Sequence, residues 1–158
     1  MKKFQLQFQP EYLNQSKYGS ITAPVFFDWG DRQFPELGWS DFPVDIVEWW
    51  LNALSKMILE NRDEGELSFM DGPHLIRLYR TSDTNFEFVC INRVPDMASI
   101  DLIEETEFVR NVDLGVLCSE LLKTAQNIVF SCEKRNYQSK ELDLLRESIK
   151  HFKNIVIN

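Results

Sequence analysis

Between Phe26 and Asp41 the chain reads FFDWGDRQFPELGWSD, which sets Asp28, Asp31, Glu36 and Asp41 among Trp29 and Trp39. Two chemistries fit such a run. Carboxylates at D-x-x-D spacing offer the oxygen ligands that a hard divalent cation prefers, and Asp28 with Asp31 would then make the chain a small metal-dependent hydrolase or nuclease. Alternatively, tryptophans supply contact area and carboxylates supply steering toward a cationic partner, with Trp29, Asp31, Glu36, Trp39 and Asp41 as the surface. A third account is purely structural, the indoles covering the start of the helix that follows. The D-x-x-D spacing is common by chance, and no Gly-rich phosphate loop accompanies it. The partner-binding account is therefore preferred, with no metal, cofactor or catalytic residue assigned.

Other reactive side chains are sparse. His74 follows Met-Asp-Gly-Pro, where Asp71 is the local residue able to approach it as a general base needs. His151 sits between Lys150 and Phe152 in a helical segment. Cys90, Cys118 and Cys132 are widely spaced within apolar runs, which reads as three reduced thiols packed as small hydrophobes and favours the cytoplasm. The start, MKKFQLQFQPEY, alternates apolar residues with Gln and lacks the continuous apolar stretch of a signal peptide. No membrane span is expected.

The net charge is −8, unevenly distributed. Residues 1–109 hold 9 Lys and Arg against 19 Asp and Glu, whereas residues 110–158 hold 8 against 6. Such a surface repels phosphate backbones and steers basic proteins inward. Nucleic acid is disfavoured as a partner, and a basic protein is favoured. Residues 96–107 contain five carboxylates and no Lys or Arg, which reads either as a solvated loop or as a second negative patch beside the aromatic run.

These residues must be positioned by a fold, and the periodicity predicts one. A length of 158 residues with 44% hydrophobic residues fits a single domain over 1–158. Phe4, Leu6 and Phe8 alternate with Gln, giving a first strand. Residues 18–27 read as a short edge strand because of Pro24, followed by a loop through Ser40. Ser40 or Asp41 then caps a helix over 43–61, whose rows Ile46-Trp50-Ala53-Met57 and Val47-Leu51-Leu54-Ile58 make a wide apolar stripe. Segments 66–70, 74–80 and 85–92 follow as an antiparallel meander, with Asp71-Gly72 as a type I′ turn and a last strand near 106–112. Two further helices, capped by Asp113 and Ser139 and separated by Asn136, form an antiparallel hairpin. The class is α+β: a mostly antiparallel sheet, one central amphipathic helix and a C-terminal helical hairpin.

The run FPELGWSDFPVDIVEWWLNAL, the hairpin LSFMDGPHLIRLYR and the closing pair of capped helices together resemble small bacterial proteins encoded beside polymorphic toxins, where such partners act as immunity proteins. That resemblance implies an intracellular, non-enzymatic inhibitor of a basic toxin or effector. It transfers no binding residues, so the candidate surface remains the acidic and aromatic one above. A subunit of a larger assembly, whose apolar patch is covered by copies of itself, is the remaining alternative.

Overall fold

The computed structural model describes residues 3–157; Met1, Lys2 and Asn158, the ends of the expected 1–158 domain, lie outside the described residues. The architecture is α+β, with two antiparallel sheets and three helices. The expectation of one sheet is thereby corrected: periodicity identifies strands, but which strands join one sheet depends on pairings distant in sequence.

The first strand forms as the alternation requires. In β1 (Gln5–Phe8) Leu6 is buried between two half-buried glutamines. It pairs with β3 (Ile21–Asp28), which is the centre of a five-stranded sheet and not the expected edge. Phe27, for example, is opposite Leu6 of β1 on one side and Phe34 of β4 (Gln33–Phe34) on the other. Two short strands, β2 (Asn14–Gln15) and β5 (Ser40–Asp41), complete the pairings. Pro24 is tolerated because the partner chain breaks beside it. Its carbonyl accepts from Gln9 N at 3.1 Å, where β1 gives way to a single 3-10 turn at Pro10–Tyr12, so its missing N–H falls in the gap between β1 and β2.

The free edge of β1 is closed by a helix. Buried Glu120 accepts from Leu6 N at 3.2 Å, and Thr124 Oγ1 donates to Leu6 O at 3.4 Å, so two side chains one helical turn apart satisfy the backbone polar groups a further strand would have used. Both residues belong to α2 (Leu114–Lys134). Asp113 caps this helix by accepting from Val116 N at 3.0 Å, and Ser139 Oγ accepts from Leu142 N at 3.0 Å at the start of α3 (Lys140–Ile157). Asn136, at φ +58°, makes the turn between them in the left-handed region.

The second sheet is a meander of β6 (Glu64–Ser68), β7 (His74–Arg80), β8 (Asn85–Pro95) and β9 (Leu102–Asp113). Asp71-Gly72 is not a type I′ turn, which needs positive φ at both central residues; only Gly72 has it, at +72°. The chain instead makes a wider turn closed by Phe69 N donating to His74 O. Helix α1 (Pro43–Leu59) lies against β6, with Trp50 Nε1 donating to Ser68 O at 2.8 Å. A Cβ at Gly65 would collide with Met57 Sδ, so glycine permits the close approach.

One buried cluster joins both sheets and all three helices, from Phe4 to Phe152. Phe88 of β8 is central to it, with ring centroids 5.7 Å from Phe4 and 5.8 Å from Phe27 across the two sheets. Truncating Phe88 to Ala is expected to cost about 3–5 kcal/mol in urea unfolding. A loss below about 1 kcal/mol would show that the sheets do not share this side chain in their core.

Candidate partner-binding surface

The acidic and aromatic run divides into an inward and an outward set. Asp28 ends β3, and its Oδ1 accepts from Gly30 N at 2.7 Å and from Gln33 Nε2 at 3.0 Å, an Asx turn that brings β4 back alongside β3. Gly30 adopts φ +85° to make that reversal. The turn drives Trp29 into the core at 6% exposure, where its ring lies 5.3 Å from Phe4, 6.0 Å from Phe88 and 5.4 Å from Phe108. Among the described residues its Nε1 is the one buried side-chain N or O without a hydrogen-bond partner.

Asp41 is likewise internal, at 2% exposure. It does not cap α1 from the side-chain position expected; Phe42 occupies that place with no side-chain cap. Its Oδ1 accepts from Phe42 N at 2.7 Å, and its Oδ2 accepts from Trp39 Nε1 at 3.0 Å and from Asp71 N at 3.2 Å. One carboxylate therefore ties the start of α1, the Trp39 indole and the β6–β7 turn together. Trp39, half-buried, sits edge-on to His74 at 4.7 Å. Trp29 and Asp41 are therefore corrected from surface to interior, because each has neighbours supplied by distant segments. Asp31 and Glu36 remain exposed, Asp31 being paired with Arg110 at 3.2 Å.

The alternative chemistries meet the same test. Asp28 is engaged by its own turn and Asp31 by Arg110, and among the described residues no group of three or more His, Cys, Asp or Glu side chains is placed to hold a metal ion. His74 does not meet the Asp71 carboxylate. Its Nδ1 lies 2.6 Å from Asn92 Oδ1, while Asn92 Nδ2 donates to Glu107 Oε1 at 3.1 Å, so Nδ1 is the donor to Asn92. His151 is exposed on α3. The three thiols are free; burial pushes Cys118 and Cys132 up to about 11 and Cys90 further, which suits packed hydrophobes.

Two features of the surface were not legible beforehand. A cavity of about 270 Å³ between α1 and α3 is lined by Asp45 and Glu141 together with Tyr18, Phe42 and Met70. Burial, then the charges of Glu141 and Glu48, hold the Asp45 carboxyl above its usual range. The other is the acidic segment, whose second half is strand and not loop. Its Glu104 is gripped by Arg77 at 2.7 and 3.0 Å and approached by Arg93 at 3.5 Å, with Glu66 completing the network. The Arg77 hydrogen bonds hold Glu104 down at about 2. Beyond this network the β8–β9 ribbon carries Met97, Ile100, Leu102 and Ile103 into solvent. Those four apolar residues inside an acidic run were the signal available in sequence.

Replacing Asp41 by Ala strands three donors and is expected to cost about 3 kcal/mol or more in urea unfolding. A cost under about 1 kcal/mol would mean that water replaces the carboxylate and that the site is open. Asp45→Asn should behave oppositely. A carboxyl raised on folding binds its proton more tightly in the native state, so native stability falls as pH rises from the ordinary carboxylate range through the raised value. The Asn variant is expected to be more stable than the parent at pH 7 and to lose that advantage near pH 3, below the ordinary carboxylate value of about 3.9; equal gains at both pH values would assign the effect to packing.

No family model matches the chain, and neither curated proteins nor solved structures show a match to it. Its function must therefore be read from its own surface.

Proposed function

We propose that the chain is a protein-binding module for a basic partner, of the immunity type: an inhibitor that neutralises a basic toxin or effector through an acidic surface. The observation supporting this reading is how the cations of the acidic part are used. Of the cations within residues 1–109, Arg32, Arg62, Arg77 and Arg93 pair with a carboxylate of the same chain, as does Arg110 just beyond, whereas Lys3, Lys17, Lys56 and Arg80 form no ion pair among the described residues. Glu36, Glu64, Asp83, Asp101 and Glu105 are exposed, and no ion pair to any of them is formed among the described residues. Intramolecular pairing therefore leaves the surplus of carboxylates facing solvent. Exposed pairs contribute little to stability, but a surplus of one sign acts at a distance on an approaching partner and raises its association rate.

The toxin-directed form of this reading rests on the layout resemblance, whereas the preference for a basic partner rests on charge. Both are tested by co-expressing the chain with the product of an adjoining reading frame and following association by stopped flow. A basic product is expected to bind stoichiometrically, with the association rate falling at least about tenfold between low salt and about 0.5 M. Converting Glu36, Glu64 and Glu105 together to Gln should lower that rate at low salt and leave dissociation nearly unchanged. Binding that is indifferent to salt and to these three charges would remove the electrostatic basis of the proposal.

A further inference from the structure

The last residue pair between β7 and β8 is His74 with Asn92, but β8 and β9 remain paired as far as Pro95 with Leu102. From Arg93 onward the meander is thus a two-stranded arm that leaves the sheet. Its root is fixed: Arg93 N donates to Pro73 O at 2.8 Å, and Arg77 and Arg93 hold Glu104 from neighbouring strands. Its tip is closed by its own polar groups. Asp96 accepts from Ala98 N at 3.0 Å and from Ser99 Oγ at 3.2 Å, Ser99 Oγ accepts from Asp101 N at 3.1 Å, and Asp96 N donates to Asp101 O at 3.0 Å.

The usual division of labour is inverted at this tip. Polar side chains turn back to satisfy the backbone, while Met97 and Ile100 are 99% and 103% exposed and Leu102 is 62% exposed. Isolated exposed apolar residues are ordinary, but several on one projecting, hydrogen-bonded turn concentrate exposed apolar area at one place, which is a mark of interaction sites. The charge around them selects the occupant. Residues 96–107 carry no cation, and Asp101 and Glu105 flank the apolar side chains without an ion pair among the described residues. Two copies meeting tip to tip would bring like charges together, and an anionic lipid or nucleic-acid surface would do the same.

We propose that the β8–β9 arm is the docking element for the basic partner, with Met97 and Ile100 as anchors that enter an apolar pocket of that protein and Asp101 and Glu105 facing its cations. The inference rests on the basic-partner reading above and assigns its contact surface. An arm fixed at its root and closed at its tip loses little freedom on docking, which favours affinity. Apolar anchors ringed by charge are also the arrangement in which a few residues dominate binding.

The test uses the full chain with methyl-labelled Met and Ile, and as probes two peptides of about eight residues, one alternating Lys with Leu and one alternating Glu with Leu. The Lys-Leu probe is expected to shift the Met97 and Ile100 methyl signals, and its affinity to fall about tenfold or more in the Met97→Ser/Ile100→Ser variant, a loss typical of anchor residues. Both substitutions are at exposed positions, so the unfolding midpoint should be unchanged. Salt-sensitive binding of the Lys-Leu probe that leaves these methyls and the double variant unaffected would overturn the arm as the docking site while sparing the basic-partner reading. No binding of that probe at low salt, or equal binding of the Glu-Leu probe, would count against the basic-partner reading itself. Self-association, or partition into phosphatidylcholine vesicles, that is abolished in the double variant would overturn the proposal in favour of a second copy or a lipid surface.

Discussion

Five aromatic rings surround Phe27, those of Phe4, Trp29, Trp50, Phe69 and Phe88, at centroid distances between 5.0 and 6.3 Å. They come from the residue just before β1, the β3–β4 turn, α1, the β6–β7 turn and β8, so both sheets and the first helix meet at one residue of the central strand. Most of these pairs are tilted or edge-on, the arrangement that favours the ring quadrupoles as well as burying area. Filling this volume dictates much else. It draws Trp29 out of its loop, seats the Met57 side chain of α1 directly against Gly65 of β6, and leaves the acidic neighbours of Trp29 at the rim.

The electrostatic arrangement follows from that packing. Two carboxylates are admitted to the interior because each organises backbone that would otherwise lack partners: Asp41 for the start of α1 and the β6–β7 turn, Glu120 for the edge of β1. Lys123 additionally approaches Glu120 at 3.2 Å, which offsets part of the cost of burying that charge. The remaining carboxylates reach solvent at least in part, Asp45 from its cavity between α1 and α3, and the arginines of the β-rich part neutralise some of them and leave a surplus. Stability and recognition therefore draw on different members of one acidic composition. The core uses the few that accept several hydrogen bonds, and the solvent-facing ones supply a field.

The sequence was readable where periodicity is local. The alternation at Phe4, Leu6 and Phe8, the double apolar row of α1, and the caps at Asp113 and Ser139 all predicted elements that the chain forms. It was not readable where the deciding contact lies far along the chain. Pro24 argued for an edge, yet a break in the neighbouring strand lets β3 sit at the centre. Trp29 and Asp41 stood among charged and glycine residues, and contacts from far along the chain, Phe4, Phe88 and Phe108 for Trp29 and Asp71 for Asp41, help to place them inside. Of the candidate surface, Asp31 and Glu36 face solvent. The β8–β9 arm was hidden by its own carboxylates, because a run of acids reads as solvated loop even when Met97, Ile100, Leu102 and Ile103 interrupt it.

Hydroxyl-radical footprinting of the free chain in solution tests the division between an interior aromatic latch and an exposed arm most directly. Comparing residues of one type removes differences in intrinsic reactivity: Trp29 and Trp50 against Trp49, and buried Met57 against Met97. The structure predicts rapid oxidation of Met97 and Trp49 and protection of Met57, Trp29 and Trp50. Oxidation of Trp29 at the rate of Trp49, with Met97 protected, would contradict it, placing the aromatic run at the surface and the arm under cover.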